Sequence, residues 1–171
     1  MMALLVVGIA GCKVSKDPAD VLVTHALGSC IAVLVYDPVA RVAGLLHYML
    51  PESSLDAERA RRLPFLFADT GIPLLLHGVC QLGAARSRMV ITAAGGAQML
   101  DPTGTFNIGQ RNHLAMMSIL AKLGMPVHRE AIGGTISRTV RIDVATGRVQ
   151  LWMPGKTEPG TVLAGGEPCR P

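Results

Sequence analysis

Aromatic side chains are scarce in this chain: one Trp, two Tyr and three Phe among 171 residues. Charge is thin as well. Asp, Glu, Lys and Arg make up 16% of the sequence, and a net charge of +4 is spread over scattered residues. Without a Lys/Arg block or aromatics interleaved with basic residues, the footprint of a nucleic-acid binder is missing. No Cys-x-x-Cys pair occurs, and none of Cys12, Cys30, Cys80 or Cys169 is spaced with histidines as in a zinc site. Reduced thiols are therefore expected, with no metal and no other cofactor. Neither Gly95-Gly96 nor Gly133-Gly134 is followed by the Lys that a Walker-type phosphate cradle needs. No apolar stretch is long enough to span a bilayer. The opening MMALLVVGIAGC ends in Ile9-Ala10-Gly11-Cys12, which looks like a lipoprotein cleavage box. No Lys or Arg precedes it, so it reads as a core strand of a cytoplasmic protein.

Half of the residues are hydrophobic, so the core must come from Val, Leu, Ile, Ala and Met. The length suits one domain with a sizeable core. Strands are expected over Ala3 to Ala10 and Val21 to His25, parted by a polar turn from Lys13 to Asp20. Ile31 to Tyr36 and Arg41 to Leu50 read as a hairpin around Asp37-Pro38-Val39-Ala40. A short helix follows through Asp56 to Arg62, capped by Ser53 or Ser54. A second helix is capped by Asp69 or Thr70, with Pro73 in its first turn and an apolar stripe of Ile72, Leu75, Leu76, Val79 and Leu82. Met89 to Ala93 is a strand entering Gly95-Gly96. A third helix runs from about Gln110 to Gly124 with Asn112 as its cap, and Val127 to Ile132 is a strand entering Gly133-Gly134. Arg138 to Val144 and Arg148 to Met153 form a hairpin. From Pro154 onward the chain reads as a loose tail, leaving 1–153 as the domain. The order predicts mainly antiparallel sheets layered with two or three helices, an α/β sandwich.

The stretch from Thr24 to Pro51 holds a thiol, an imidazole and a hydroxyl at telling spacings. If Asp37 faces Ala40, Cys30 falls directly opposite His47, and opposed residues on an antiparallel pair share one face. A slip of one residue would part them, and Gly44 could host a bulge that alters the count. Cysteine beside histidine is the minimal nucleophile–base pair, with imidazolium favouring the reactive thiolate. Gly28 and Ser29 are small enough for their turn to offer backbone N–H groups to an oxyanion. Thr24 could accept from the second ring nitrogen and fix the tautomer. Acyl transfer through a thioester is the chemistry this set suggests. His25 should point away from that face. His77, His113 and His128, and the thiols of Cys12, Cys80 and Cys169, read as core or surface residues.

Ordered motifs add to this. Val7-Gly8-Ile9-Ala10, Leu27-Gly28-Ser29-Cys30, Tyr36-Asp37-Pro38 and His47-Tyr48-Met49-Leu50-Pro51 are followed by Gly95-Gly96-Ala97. Asn107-Ile108-Gly109 with Arg111-Asn112, then Gly133-Gly134 with Arg138, complete the set. In this order the motifs resemble the CheD family, over about Val6 to Trp152. The resemblance implies a triad of Cys30, His47 and Thr24, and a layered sandwich similar to the catalytic domains of deamidating toxins. It implies hydrolysis of glutamine side-chain amides on methyl-accepting chemotaxis receptors, with glutamyl methyl ester hydrolysis in some members. A CheC-type phosphatase is an implied partner. A non-catalytic module regulating that phosphatase or the receptor is the alternative. Thr92-Ala93-Ala94 and Leu66-Phe67-Ala68-Asp69 depart from the family's usual residues, which places substrate or partner contacts there in question.

Overall fold

A computed structural model describes residues 3–99, 103, 106–155 and 160–164. Among these, ten strands form two five-stranded sheets. The first sheet has the order β1-β3-β8-β9-β10, from Ala3–Val6, Asp20–Leu27, Arg138–Asp143, Val149–Trp152 and Thr161–Ala164. The second has the order β2-β5-β4-β6-β7, from Gly11–Ser15, Val42–Tyr48, Ile31–Asp37, Val90–Gly95 and Arg129–Ile132. Helices α1 (Ala57–Arg62), α2 (Ala68–Gln81) and α3 (Ile108–Lys122) accompany them. Only β1–β3 and β6–β7 pair in parallel. The layered α/β sandwich of mainly antiparallel sheets expected from the sequence is what forms.

Period-two alternation explains the layers. Along β4, Ile31, Val33 and Val35 join the α2 stripe of Ile72, Leu75, Leu76 and Val79 in one core. Ala32, Leu34 and Tyr36 face the other way, into a second core with Leu22, Val140 and Ile142 of the first sheet. The second sheet is thus the middle layer, and every residue of β4 and β5 is buried.

Several local expectations shift. The run from Ala3 to Ala10 breaks after Val6, where Ala10 takes a positive φ of 58° and the chain crosses to the second sheet. Lys13, Val14 and Ser15 belong to β2 rather than a turn, because ladder bonds to β5 override their polarity. Asp56, not Ser53 or Ser54, caps α1 by accepting from the Arg59 amide. Helix α2 begins at Ala68, so Asp69 lies in its first turn and Pro73 in its interior. Thr161–Ala164, inside the stretch expected to be loose, pairs with β9. Cys169 lies outside the described residues.

The main correction concerns register. Asp37 pairs with Val42, not Ala40, so His47 stands opposite Ala32 and Tyr48 opposite Ile31. The loop has four residues because the Asp37 carboxylate accepts from the Val39 and Ala40 amides and Arg41 closes it at a positive φ of 52°. No bulge interrupts Gly44. A Cβ there would sit 2.7 Å from both Leu75 and Val79, so glycine is what lets α2 pack on β5.

Candidate active site

Three segments converge where the sheets face each other. Thr24 comes from β3 of the first sheet, His47 from β5 of the second, and Cys30 from the connection into β4. The register correction moves Cys30 two residues past His47's direct partner. A shift of two preserves the face, and Cys30 lies with Ala32, Leu34 and Leu45 in the core between the sheets. Diagonal neighbours of this kind remain within reach, roughly 7–8 Å apart at the backbone.

The hydroxyl of Thr24 donates to the Val7 carbonyl at 2.7 Å. Its single proton being committed, it accepts at its oxygen from Nδ1–H of His47, 2.8 Å away. That bond places the ring proton on Nδ1 and leaves Nε2 with a free lone pair. Nε2 is buried and has no hydrogen-bond partner among the described residues. Burial pushes the His47 pKa down to about 4, so the ring is neutral near pH 7. Burial also raises the Cys30 thiol, partly offset by its own backbone N–H. The resting pair is therefore thiol and neutral imidazole, not the thiolate–imidazolium pair that proximity alone suggests.

Cys30 is 9% exposed and opens on a cavity of about 500 Å³, whose wall includes Gly28, Ser29, Ala97, Met99 and Phe106. The approach is apolar: Met99 is 46% and Phe106 71% exposed. All three carbonyls of the Gly28-Ser29-Cys30 segment are held from behind. Gly28 accepts from the Ala97 amide and Cys30 from the Gly96 amide, each at 2.8 Å. Ser29 accepts from the Asn112 side chain at 3.0 Å. Gly95 must be glycine, since at φ 115° a Cβ would fall 2.2 Å from the Cys30 carbonyl. Gly95-Gly96 and Gly133-Gly134 take positive φ, as their sequence suggests, and the Gly96 amide bonds directly to the Cys30 carbonyl.

Asn112 is the residue that sequence reasoning misplaced. Asn107, at a positive φ of 46°, occupies the α3 N-cap. Asn112 lies inside the helix and is fully buried. The available signal was its spacing with Met116 and Leu120, which puts an amide on an apolar stripe. His25 is exposed, as expected, with Thr139 near its ring. His77 and His128 are exposed, and His113 pairs with Glu130 at 3.0 Å. Cys12 and Cys80 are half-buried free thiols. Of the departures, Leu66, Phe67, Ala68 and Thr92-Ala93-Ala94 are buried, while Asp69 is half-buried and accepts from the Ser53 amide and hydroxyl.

A layered α/β sandwich in which a buried thiol opens on an apolar cavity, with a tautomer-fixed imidazole and a hydroxyl buried between the same two sheets, holds the groups that thiol-based acyl transfer uses. A family model described as CheD chemotactic sensory transduction matches residues 49–152. A protein of Solibacter usitatus, named a probable chemoreceptor glutamine deamidase, is 52% identical over 91% of this chain and 92% of its own. Relatives of the same name in Syntrophus aciditrophicus and Anaeromyxobacter dehalogenans are 47% and 49% identical. These alignments cover 86% and 88% of this chain and 92% and 94% of the relatives. The chain belongs to the CheD family.

Proposed function

We propose that this protein is a cysteine-dependent protein-glutamine deamidase acting on the cytoplasmic helices of methyl-accepting chemotaxis receptors. The observation that carries the reading is the bond from His47 to Thr24, which leaves Nε2 as an unpartnered base on the face shared with Cys30.

Nε2 takes the Cys30 thiol proton as sulfur attacks the side-chain carbonyl carbon of glutamine. The carbonyl π electrons move to oxygen, where backbone N–H groups of the Gly28-Ser29-Cys30 turn stabilise the charge. His47 returns its proton to nitrogen, the C–N bond breaks and ammonia leaves, giving a thioester. Water then attacks, surrendering a proton to His47. The C–S bond breaks, glutamate departs and sulfur regains the proton. Because burial opposes charge on both partners, proton transfer accompanies attack. The Cys30–Nε2 hydrogen bond that this transfer needs forms as substrate fills the site, since Nε2 has no partner among the described residues. The apolar approach suits a helix surface more than a charged small molecule, and Met99 and Phe106 are well placed to meet it. A CheC-type phosphatase is a second partner for the same mouth, and glutamyl methyl esters, neutral like the amide, fit the same chemistry. No helix among the described residues is long and apolar enough to cross a membrane, which accords with action in the cytoplasm.

The test incubates the protein with a receptor cytoplasmic fragment and reads ammonia release and amide-to-acid conversion by mass spectrometry. Cys30→Ala should lower the rate at least ~10³-fold. Equal conversion by the parent and this variant would refute the assignment.

A further inference from the structure

Asn112 is placed to do more than fill space. It is fully buried in α3, yet its side-chain amide makes two bonds that leave the helix. Nδ2 donates to the Ser29 carbonyl at 3.0 Å and to the Met49 carbonyl at 2.8 Å. Swapping the amide's oxygen and nitrogen would set an acceptor against two carbonyls, so the network fixes the orientation. Oδ1 is left buried with no hydrogen-bond partner among the described residues. A residue kept only for stability would be a poor choice at that cost. The backbone carbonyl of the same Asn112 accepts from the Tyr48 hydroxyl at 2.7 Å, which locks the helix to the end of β5.

The two accepting carbonyls belong to the peptide just before Cys30 and to the residue two beyond His47. In a trans peptide the C=O of one residue and the N–H of the next point in opposite directions. Holding the Ser29 carbonyl toward Asn112 therefore turns the Cys30 N–H the other way, where it meets its own sulfur. We infer that Asn112 is a positioning residue for deamidation, setting the Ser29–Cys30 peptide so that the Cys30 N–H faces the developing oxyanion and tying that peptide to the strand that carries His47. This rests on the cysteine-dependent reading above. Asn112 touches neither substrate nor the reacting atoms; it acts through one peptide plane.

Asn112→Asp keeps the shape and removes both donors, and Asn112→Ala removes the group. Both are assayed in the full chain, below the melting transition of each variant, with a receptor fragment as substrate. The inference expects kcat to fall roughly 10²-fold or more, as for loss of an oxyanion donor. It expects KM to change less than about threefold, as for an interaction made in the transition state. Iodoacetamide alkylation of Cys30 at mildly alkaline pH should slow less than about threefold, since alkylation develops no oxyanion and feels only the altered contact of the Cys30 N–H with its own sulfur. A kcat within about twofold of the parent in a folded variant overturns the inference. So does a joint loss of turnover, alkylation and the melting transition, which marks a purely structural residue. If parent and Cys30→Ala turn over alike, the cysteine reading has failed. The inference is then decided by the Cys30 amide resonance in a ¹H–¹⁵N spectrum: movement in Asn112→Asp beyond that of the β4 core amides keeps it, and an unmoved signal overturns it.

Discussion

At the residue scale, the proposed chemistry depends on a proton held in one place. Thr24 cannot stabilise imidazolium as a carboxylate would, because its oxygen carries no charge, and burial pushes the His47 pKa from 6.5 to about 4. A base of low pKa remains available far into acid. The acid limb of the rate profile should therefore lie near pH 4 and not near 6.5, measured as kcat/KM against pH. The same shift has a stability consequence. The unfolded ring binds a proton below about pH 6.5, whereas the folded ring resists it until about pH 4. Between these values the unfolded state binds more protons, so stability falls as pH is lowered. The full loss is on the order of 3 kcal/mol. His47→Gln should flatten that slope in denaturant titrations between pH 6.5 and 4, and an unchanged slope would show that another group carries it.

The β4–β5 hairpin is the element that delivers His47 to the site, and Asp37 sets its loop. Burial by itself would raise this carboxyl. The Arg88 guanidinium, with the amides of Ala85, Ala40 and Val39, outweighs that and holds the pKa at about 2. Arg88 pairs with the Asp37 carboxylate at 2.7 Å, joining the hairpin to the segment before β6. A depressed acid stabilises the fold above its unfolded value, near 4, and loses that contribution as pH falls toward 2. Asp37→Ala should cost on the order of 3 kcal/mol, the scale of breaking a buried, hydrogen-bonded pair. It should also weaken the dependence of melting temperature on pH between about 4 and 2. The element also shows how far turn chemistry reads from sequence. Asp-Pro correctly marks the loop, but its length depends on Arg41 entering the left-handed region, a conformation that non-glycine side chains rarely adopt.

For the whole molecule, the decisive fact is that the second sheet lies between two cores. Residues of β4 alternate between the helix-side cluster and the inter-sheet cluster, so neither half keeps its packing if the middle layer fails. Leu34→Ala, deep in the inter-sheet core at 1% exposure, should cost about 2–5 kcal/mol. It should lower the transitions seen by Trp152 fluorescence, on the first sheet, and by helical circular dichroism, on the far side, by the same amount. Non-coincident transitions would mean that the layers unfold separately.

Period-two alternation is local, so the sequence by itself placed Cys30 and His47 on one face of a hairpin. That result survives the register error because a shift of two leaves the face unchanged. The α2 stripe and the positive-φ Gly-Gly turns were legible for the same reason: each follows from a few neighbouring residues. Tertiary structure alone decided that Lys13 to Ser15 pair as a strand, that Thr24 makes its sequence-suggested bond to His47 from the opposite sheet, and that Asn112 reaches back to Ser29 across 83 positions. Those contacts join segments distant along the chain, and their geometry depends on how complete layers pack, which no local pattern of residues encodes.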